Sequence, residues 1–226
     1  ANAGPGNPLG DGGAAIHDWR NDLACWRERL GLGGGRSGPD DDLVRASFER
    51  AGAYVMGRRT FDEGESVWPA NPPFRAPVFV VTHEEREAWV REGGTTFTFV
   101  TAGVEHAVAR ARAVAGRRDV RVSGGADVIR QCLRAGLLDE LHIHLTPVVL
   151  GCGIRLFEGL RGHEVSLESR EVTPSWHVTH LSYAVPIEGS ASSMWAGSTM
   201  SCGSRSSTRS SMCWHSRRSR WAGRTG

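Results

Sequence analysis

Two adjacent glycines, Gly124 and Gly125, stand where a short apolar strand (Val120, Val122) hands over to a helix whose apolar positions are Val128, Ile129, Cys132 and Leu133. Glycine opens backbone angles closed to other residues and lets a ligand approach the main chain, while unpaired amides at a helix start favour an anion. A pyrophosphate fits such a turn, and a plain tight turn uses the same residues. Two other strand ends carry matching chemistry. Gly57, Arg58, Arg59 and Thr60 follow a short strand at 53–56, and Thr82 and His83 close the apolar run 78–82. Guanidinium forks suit a phosphate monoester, and a threonine hydroxyl can cap a helix while touching phosphate. Alone, Arg58 and Arg59 read as a solvated pair. Three such elements at successive strand ends reverse that preference.

The elements that must position these residues alternate. Helices are expected at 16–30, with Trp19, Leu23, Trp26 and Leu30 on one face, at 43–51 behind the acidic cap Asp40, Asp41 and Asp42, and at 104–115. Strands are expected at 53–56, 78–82, 96–100 and 141–149, with an antiparallel pair at 164–172 and 177–184; residues 62–66 read as an acidic turn. Strands apolar on both faces, alternating with helices, indicate an α/β domain with a mostly parallel central sheet and a C-terminal antiparallel hairpin. Ligands of such sheets sit beyond the carboxyl ends of the strands.

Composition excludes several classes. The chain has 226 residues, 39% hydrophobic and 23% charged, which suits one globular domain with a tail. It contains no apolar run of transmembrane length and no signal-peptide pattern, so no membrane partner and a cytoplasmic location are expected. All 27 basic residues are arginine, which removes Schiff-base lysine chemistry and a Walker lysine. The five cysteines never form a CxxC pair, and although His142 and His144 share a strand face, no third ligand stands at metal spacing; no metal is expected. From 189 to 226 the chain carries twelve serines, six arginines and no acid. That tail reads as disorder, or as out-of-frame translation of GC-rich DNA, rather than as a nucleic-acid arm. The domain is therefore placed at 1–188 and the tail at 189–226.

The segments YVMGRRTF, VFVVTH and VSGGADVIRQCLRAGLLDELHIHLTPVVLGCGIRLFEGL resemble the dihydrofolate reductase-like superfamily. More narrowly they are similar to stand-alone domains like the C-terminal reductase half of the bifunctional riboflavin-biosynthesis deaminase-reductase. The resemblance implies a three-layer fold, a bacterial protein and an NADPH site, and a homodimer is expected because the sheet edge described below invites pairing with another chain. In that site Gly57, Arg58, Arg59 and Thr60, with Thr82 and His83, reach the adenosine ribose phosphate side, while Gly124, Gly125, Ala126 and Asp127 hold the pyrophosphate. Asp127 has a second role open to it as a helix N-terminal charge. Gly151 and Gly153 either approach the substrate or form a turn. Asp11 is either a proton donor or a turn aspartate before glycine.

The resemblance also implies a first central strand bearing a serine, an aspartate and a glycine ahead of the GP loop. The chain begins at ANAGPGNPLGDGG, so that strand is expected to be missing and the sheet to show a gap or an exposed edge. Two functions follow: an NADPH-dependent reductase that moves hydride to a small heterocyclic or carbonyl-type substrate, riboflavin-precursor or pterin-like by resemblance, or an impaired, dimeric NADP-binding module.

Overall fold

The computed structural model describes residue 7, residues 9–151 and 153–186, and the backbone of residues 210–215. Four strands run parallel: β1 (Ala51–Gly57), β2 (Val78–Val81), β4 (Thr96–Val100) and β5 (Asp119–Val122). The two-residue β3 (Trp89–Val90) adds an antiparallel edge, giving the order β3-β4-β2-β1-β5. β1 is buried from Ala51 to Met56, as a strand covered on both faces must be.

One face is covered by α5 (Gly103–Ala115), which buries Val104, Ala107, Val108, Ala111 and Ala115 at helical spacing, together with α6 (Ala126–Arg134). The other face packs on α3 (Pro39–Arg50), α4 (Arg58–Glu65) and an aromatic cluster centred on Phe61. Helix α4 replaces the expected acidic turn. Its polar sequence hides one inward face, on which Phe61 is fully buried.

A second, antiparallel sheet has the order β7-β8-β6-β9, with β6 (Glu140–Leu145), β7 (Glu168–Pro174), β8 (Thr179–Ala184) and β9 (Ser210–His215). β6 stops before Thr146 and Pro147, short of the expected 141–149, because proline has no N–H to extend a ladder. β7 begins later than expected, at Glu168. From the tail, β9 pairs with β6 and runs alongside β5, so its backbone lies between the two sheets. The other residues of 189–226 lie outside the described residues. No helix among the described residues is long and apolar enough to cross a membrane.

The helix expected at 16–30 is two helices, α1 (Gly13–Asn21) and α2 (Ala24–Arg29). The chain breaks between them because Arg36 docks there: its N–H donates to the Asp22 carbonyl at 2.6 Å and its own carbonyl accepts from Ala24 N–H at 3.0 Å. Asp40, Asp41 and Asp42 lie in the first turn of α3, behind Pro39, rather than ahead of the helix.

Asp41 is buried and its Oδ1 accepts the Cys25 N–H at 2.6 Å, tying α3 to α2. Burial alone would raise this carboxyl, but its bonds to the Cys25 thiol and amide and to Arg45 outweigh burial and hold it below the usual carboxylate range. A depressed folded value gives stability that is complete above the ordinary carboxylate pKa of about 4 and is lost as pH falls through the folded one. Asp41→Asn is therefore expected to lower the thermal midpoint at neutral pH and to flatten its acid limb. A midpoint-against-pH curve with an unchanged acid limb would contradict this role.

Candidate functional site

The carboxyl ends of β1, β2 and β5 are neighbours in the sheet, and each delivers one of the three expected elements. Gly57 N–H donates to the Gly124 carbonyl at 2.9 Å, and Ser123 N–H to the Val55 carbonyl at 2.8 Å, so the glycine turn is pinned to the end of β1. Gly124 has φ +100°, a region that favours glycine. Gly125 has φ −72°, outside the region that favours glycine, and an added Cβ there would stand 3.2 Å from Thr60 Oγ1. A Cβ at Gly57 would stand 3.0 Å from Val128. Thr60, Gly57, Gly124 and Gly125 thus form one closely packed cradle.

Around the cradle the donors suit an anion. Helices α4 and α6 start there with Gly57 and Gly125 as N-caps, and neither start has a side-chain cap. Ala126 and Asp127 open α6; Asp127 accepts from Gln131 at 2.6 Å and lies 3.5 Å from Arg130, as a helix N-terminal charge does. Thr82 is buried at the end of β2 and its Oγ1 accepts the Glu84 N–H at 3.1 Å, while His83 is exposed. Arg58 donates to Asp62 at 2.6 Å and to Glu84 at 2.9 Å, which joins the first and second elements; Arg59 donates to Glu63 at 2.9 Å. These exposed ion pairs are weak and exchangeable, so an incoming phosphate competes with them at little cost.

The expected substrate-side residues lie on the surface. Asp11 is exposed and accepts from Asn7 at 3.0 Å. Its loop does approach the segment before Gly151, because a Cβ on Gly12 would fall 2.7 Å from Leu150. Gly151 and Gly153 are exposed, and Gly151 takes φ +71°, the angle of a turn.

A second cluster unites residues far apart in sequence. His144 and His180 are opposite one another on β6 and β8, with their Nδ1 atoms 2.6 Å apart. His180 Nε2 lies 3.0 Å from Asp40 Oδ1, and Trp19 packs against both imidazoles at 5.2 and 5.4 Å between ring centroids. Asp40, His144 and His180 are all buried. Burial first, then the neighbouring His180, Arg121, His142 and Arg20, hold His144 well below the usual histidine range.

A cavity of about 170 Å³ opens between α3 and the β6-β8-β7 face, lined by Ser47, His142, His144, Glu171, Thr173 and His180 among others. Among the described residues no group of three or more histidine, cysteine, aspartate or glutamate side chains could hold a metal ion. The period-two pair His142 and His144 was visible in the sequence. Its union with Asp40 and His180 was not, since the Asp40–His180 contact spans 140 positions.

The chain is 25% identical over 139 residues to uncharacterized protein YwjB of Bacillus subtilis (strain 168), which covers 59% of this chain and 71% of the relative. A crystal structure of a protein named for riboflavin biosynthesis, from Shewanella sp. PV-4, superposes with a TM-score of 0.55 at 24% identity, over 75% of this chain and 88% of that one. That likeness carries the fold, the dihydrofolate reductase-like α/β architecture. Residues 11–180 match the RibD C-terminal domain, a span that holds the glycine cradle and the buried histidines alike, and the chain belongs to that family.

Proposed function

We propose that this protein is an NADPH-dependent reductase that moves hydride to a small heterocyclic or carbonyl-type substrate, in the riboflavin-precursor or pterin-like class. The observation that carries the reading is the cradle. Three glycines and a threonine, at the ends of β5 and β1 and in α4, close on one another at adjacent strand ends, beside two helix starts with no side-chain cap. The donor set suits a dinucleotide pyrophosphate: backbone amides approach it closely, and helix N-termini oppose its charge. When bound, the nicotinamide supplies a hydride. This chain's part is to orient it and to exclude water. Gly124 and Gly125 admit the pyrophosphate to the backbone, Thr60 offers a hydroxyl beside it, and Thr82 anchors the end of β2.

Arg58 and Arg59 would hold the extra phosphate monoester that distinguishes NADPH from NADH, taking it in place of Glu84 and Glu63. Bidentate arginine recognition of phosphate is strong enough for that exchange. Arg58→Ala is therefore expected to weaken NADPH about tenfold, ~1.4 kcal/mol, while leaving NADH nearly unchanged. Equal losses for the two cofactors in a fluorescence titration would remove Arg58 from the phosphate site.

The alternative, an NADP-binding module without turnover, is favoured by one feature: Asp11 is exposed and paired with Asn7 in a surface loop, rather than held in a cavity. Loss of nicotinamide absorbance with a pyrimidine or pterin substrate separates the two. Binding without such loss supports the module.

A further inference from the structure

Asp40, His180 and His144 form a linear chain of hydrogen bonds whose protons can be assigned. An ionised Asp40 only accepts, so His180 Nε2 carries the hydrogen that meets Asp40 Oδ1 at 3.0 Å. A neutral His180 then presents a bare Nδ1, and the 2.6 Å contact requires that His144 Nδ1 carry the hydrogen. His144 Nε2 is thereby left as the bare, proton-accepting nitrogen at the end of the chain. The other Asp40 oxygen accepts the Ser175 hydroxyl at 3.0 Å and lies 3.7 Å from Arg36, so the carboxylate is fixed in place. At 2.6 Å apart the two Nδ1 atoms leave no room for a metal ion between them.

The cavity meets this chain at His144 and His180, and its remaining polar walls, Ser47, His142, Glu171 and Thr173, are hydrogen-bonding groups. At about 170 Å³ it has room for several waters or for one small ring. Asp40 also lies at the appropriate end of the fold. Helix α3 runs directly into β1 and packs against it, so its first turn points back toward the carboxyl end of β1, where Gly57 begins the cradle.

We propose that Asp40, His180 and His144 are a proton-holding chain, with His144 exchanging a proton with a small polar ring bound in this cavity and with His180 and Asp40 as positioning residues. A proton taken up at His144 Nε2 releases the Nδ1 proton to His180, and the positive charge comes to rest beside Asp40. For the reaction it serves, the proposal rests on the reductase reading. Where a bound nicotinamide would supply hydride to the carbon of a C=N or C=O bond, the heteroatom would take the His144 Nε2 proton. His144 regains its Nδ1 proton from His180, and solvent recharges the chain. The groups facing the pair are Arg20 on α1, Asp40 and, beyond it, Arg36 ahead of α3, Arg121 on β5, His142 on β6, and Arg50 and Glu171 across the cavity. The cations oppose uptake of the proton, and Asp40 is the carboxylate in direct contact that favours it.

The test is nitrogen-15 NMR of the histidine side chains in the full chain without cofactor, followed through a pH titration. The expected result is one histidine in the Nδ1–H tautomer, assigned to His144 by its loss in His144→Gln, coupled to a second in the Nε2–H tautomer. Asp40→Asn should shift the pair's proton uptake to lower pH by about one unit or more, since the carboxylate that stabilises the cation is gone. Two Nε2–H tautomers, or an unmoved titration in Asp40→Asn, would overturn the proposal. If Asp40→Asn does not fold, the tautomers of the unsubstituted chain decide. Failure of NADPH to raise the thermal midpoint, with the tautomer pattern intact, removes the reductase reading and leaves the proton chain standing.

Discussion

A Gly125→Val chain is expected to fold and to lose NADPH by about 100-fold or more, ~2.7 kcal/mol. The φ of −72° at this position is not one reserved for glycine, so what the substitution adds is chiefly a side chain in the space of the cradle. Its Cβ would stand 3.2 Å from Thr60 Oγ1, and its branches would extend into the cradle where the pyrophosphate must approach the amides. Thr60 can yield by rotating its side chain, so the thermal midpoint without cofactor should change little. Binding that survives Gly125→Val would mean that the turn is a packing device and that the cofactor, if any, lies elsewhere. Gly124 is a less informative target, since its φ of +100° makes any side chain costly to folding itself.

The largest effect on stability is expected at Phe61. Its ring is fully buried and lies 5.1 to 5.9 Å from the rings of Trp68, Trp89, Phe97 and Phe99, in edge-to-face arrangements. It is also the residue by which α4, and with it Arg58, Arg59 and Thr60, is held to the sheet. Phe61→Ala should cost roughly 3–5 kcal/mol through lost burial and the cavity left behind. In a domain of this size that lowers the thermal midpoint by about 10 °C. Tryptophan emission should report the loosening, because Trp68 and Trp89 share the cluster. A midpoint within a degree or two of the unsubstituted chain would show that the cluster collapses around the gap and that α4 is anchored by other contacts.

What could be read in the sequence follows from how local each signal is. Val78, Phe79 and Val80 are buried in a central strand because an uninterrupted apolar run has no other place in an α/β domain, and the run is visible by itself. The cradle was legible for a similar reason. Gly57 and Gly124 mark their strand ends in sequence, and only the 2.9 Å bond between them needed the structure. Helix α4 was obscured because one apolar residue, Phe61, among Arg, Thr, Asp, Glu and Gly gives little periodicity, and tertiary packing decided its conformation. The break between α1 and α2 depends on Arg36, a residue that follows both helices.

The buried chain was the least legible. Asp40 looks like an ordinary acid in the first turn of a helix, and His180 like any histidine in a hairpin. Their partnership exists only once α3 and β8 are packed together. The geometry also moved the weight of the site. Asp11, the acid nearest the glycines in the opening loop, is solvated and paired with Asn7, whereas Asp40, His144 and His180 are buried and bonded to one another beside a cavity. Desolvated, mutually bonded groups beside a cavity are where proton chemistry is concentrated, since burial and neighbouring charge set their protonation.

On the reductase reading, the cradle at the ends of β1, β2 and β5 binds NADPH. The most direct test is the thermal midpoint of the full chain against NADPH concentration, with NADH in parallel. A ligand that binds only the folded chain adds about 2.7 kcal/mol of stability at a hundredfold excess over its dissociation constant. The account therefore expects a saturable rise for NADPH and a smaller one for NADH at equal concentration. A midpoint that stays flat across the NADPH titration would contradict it.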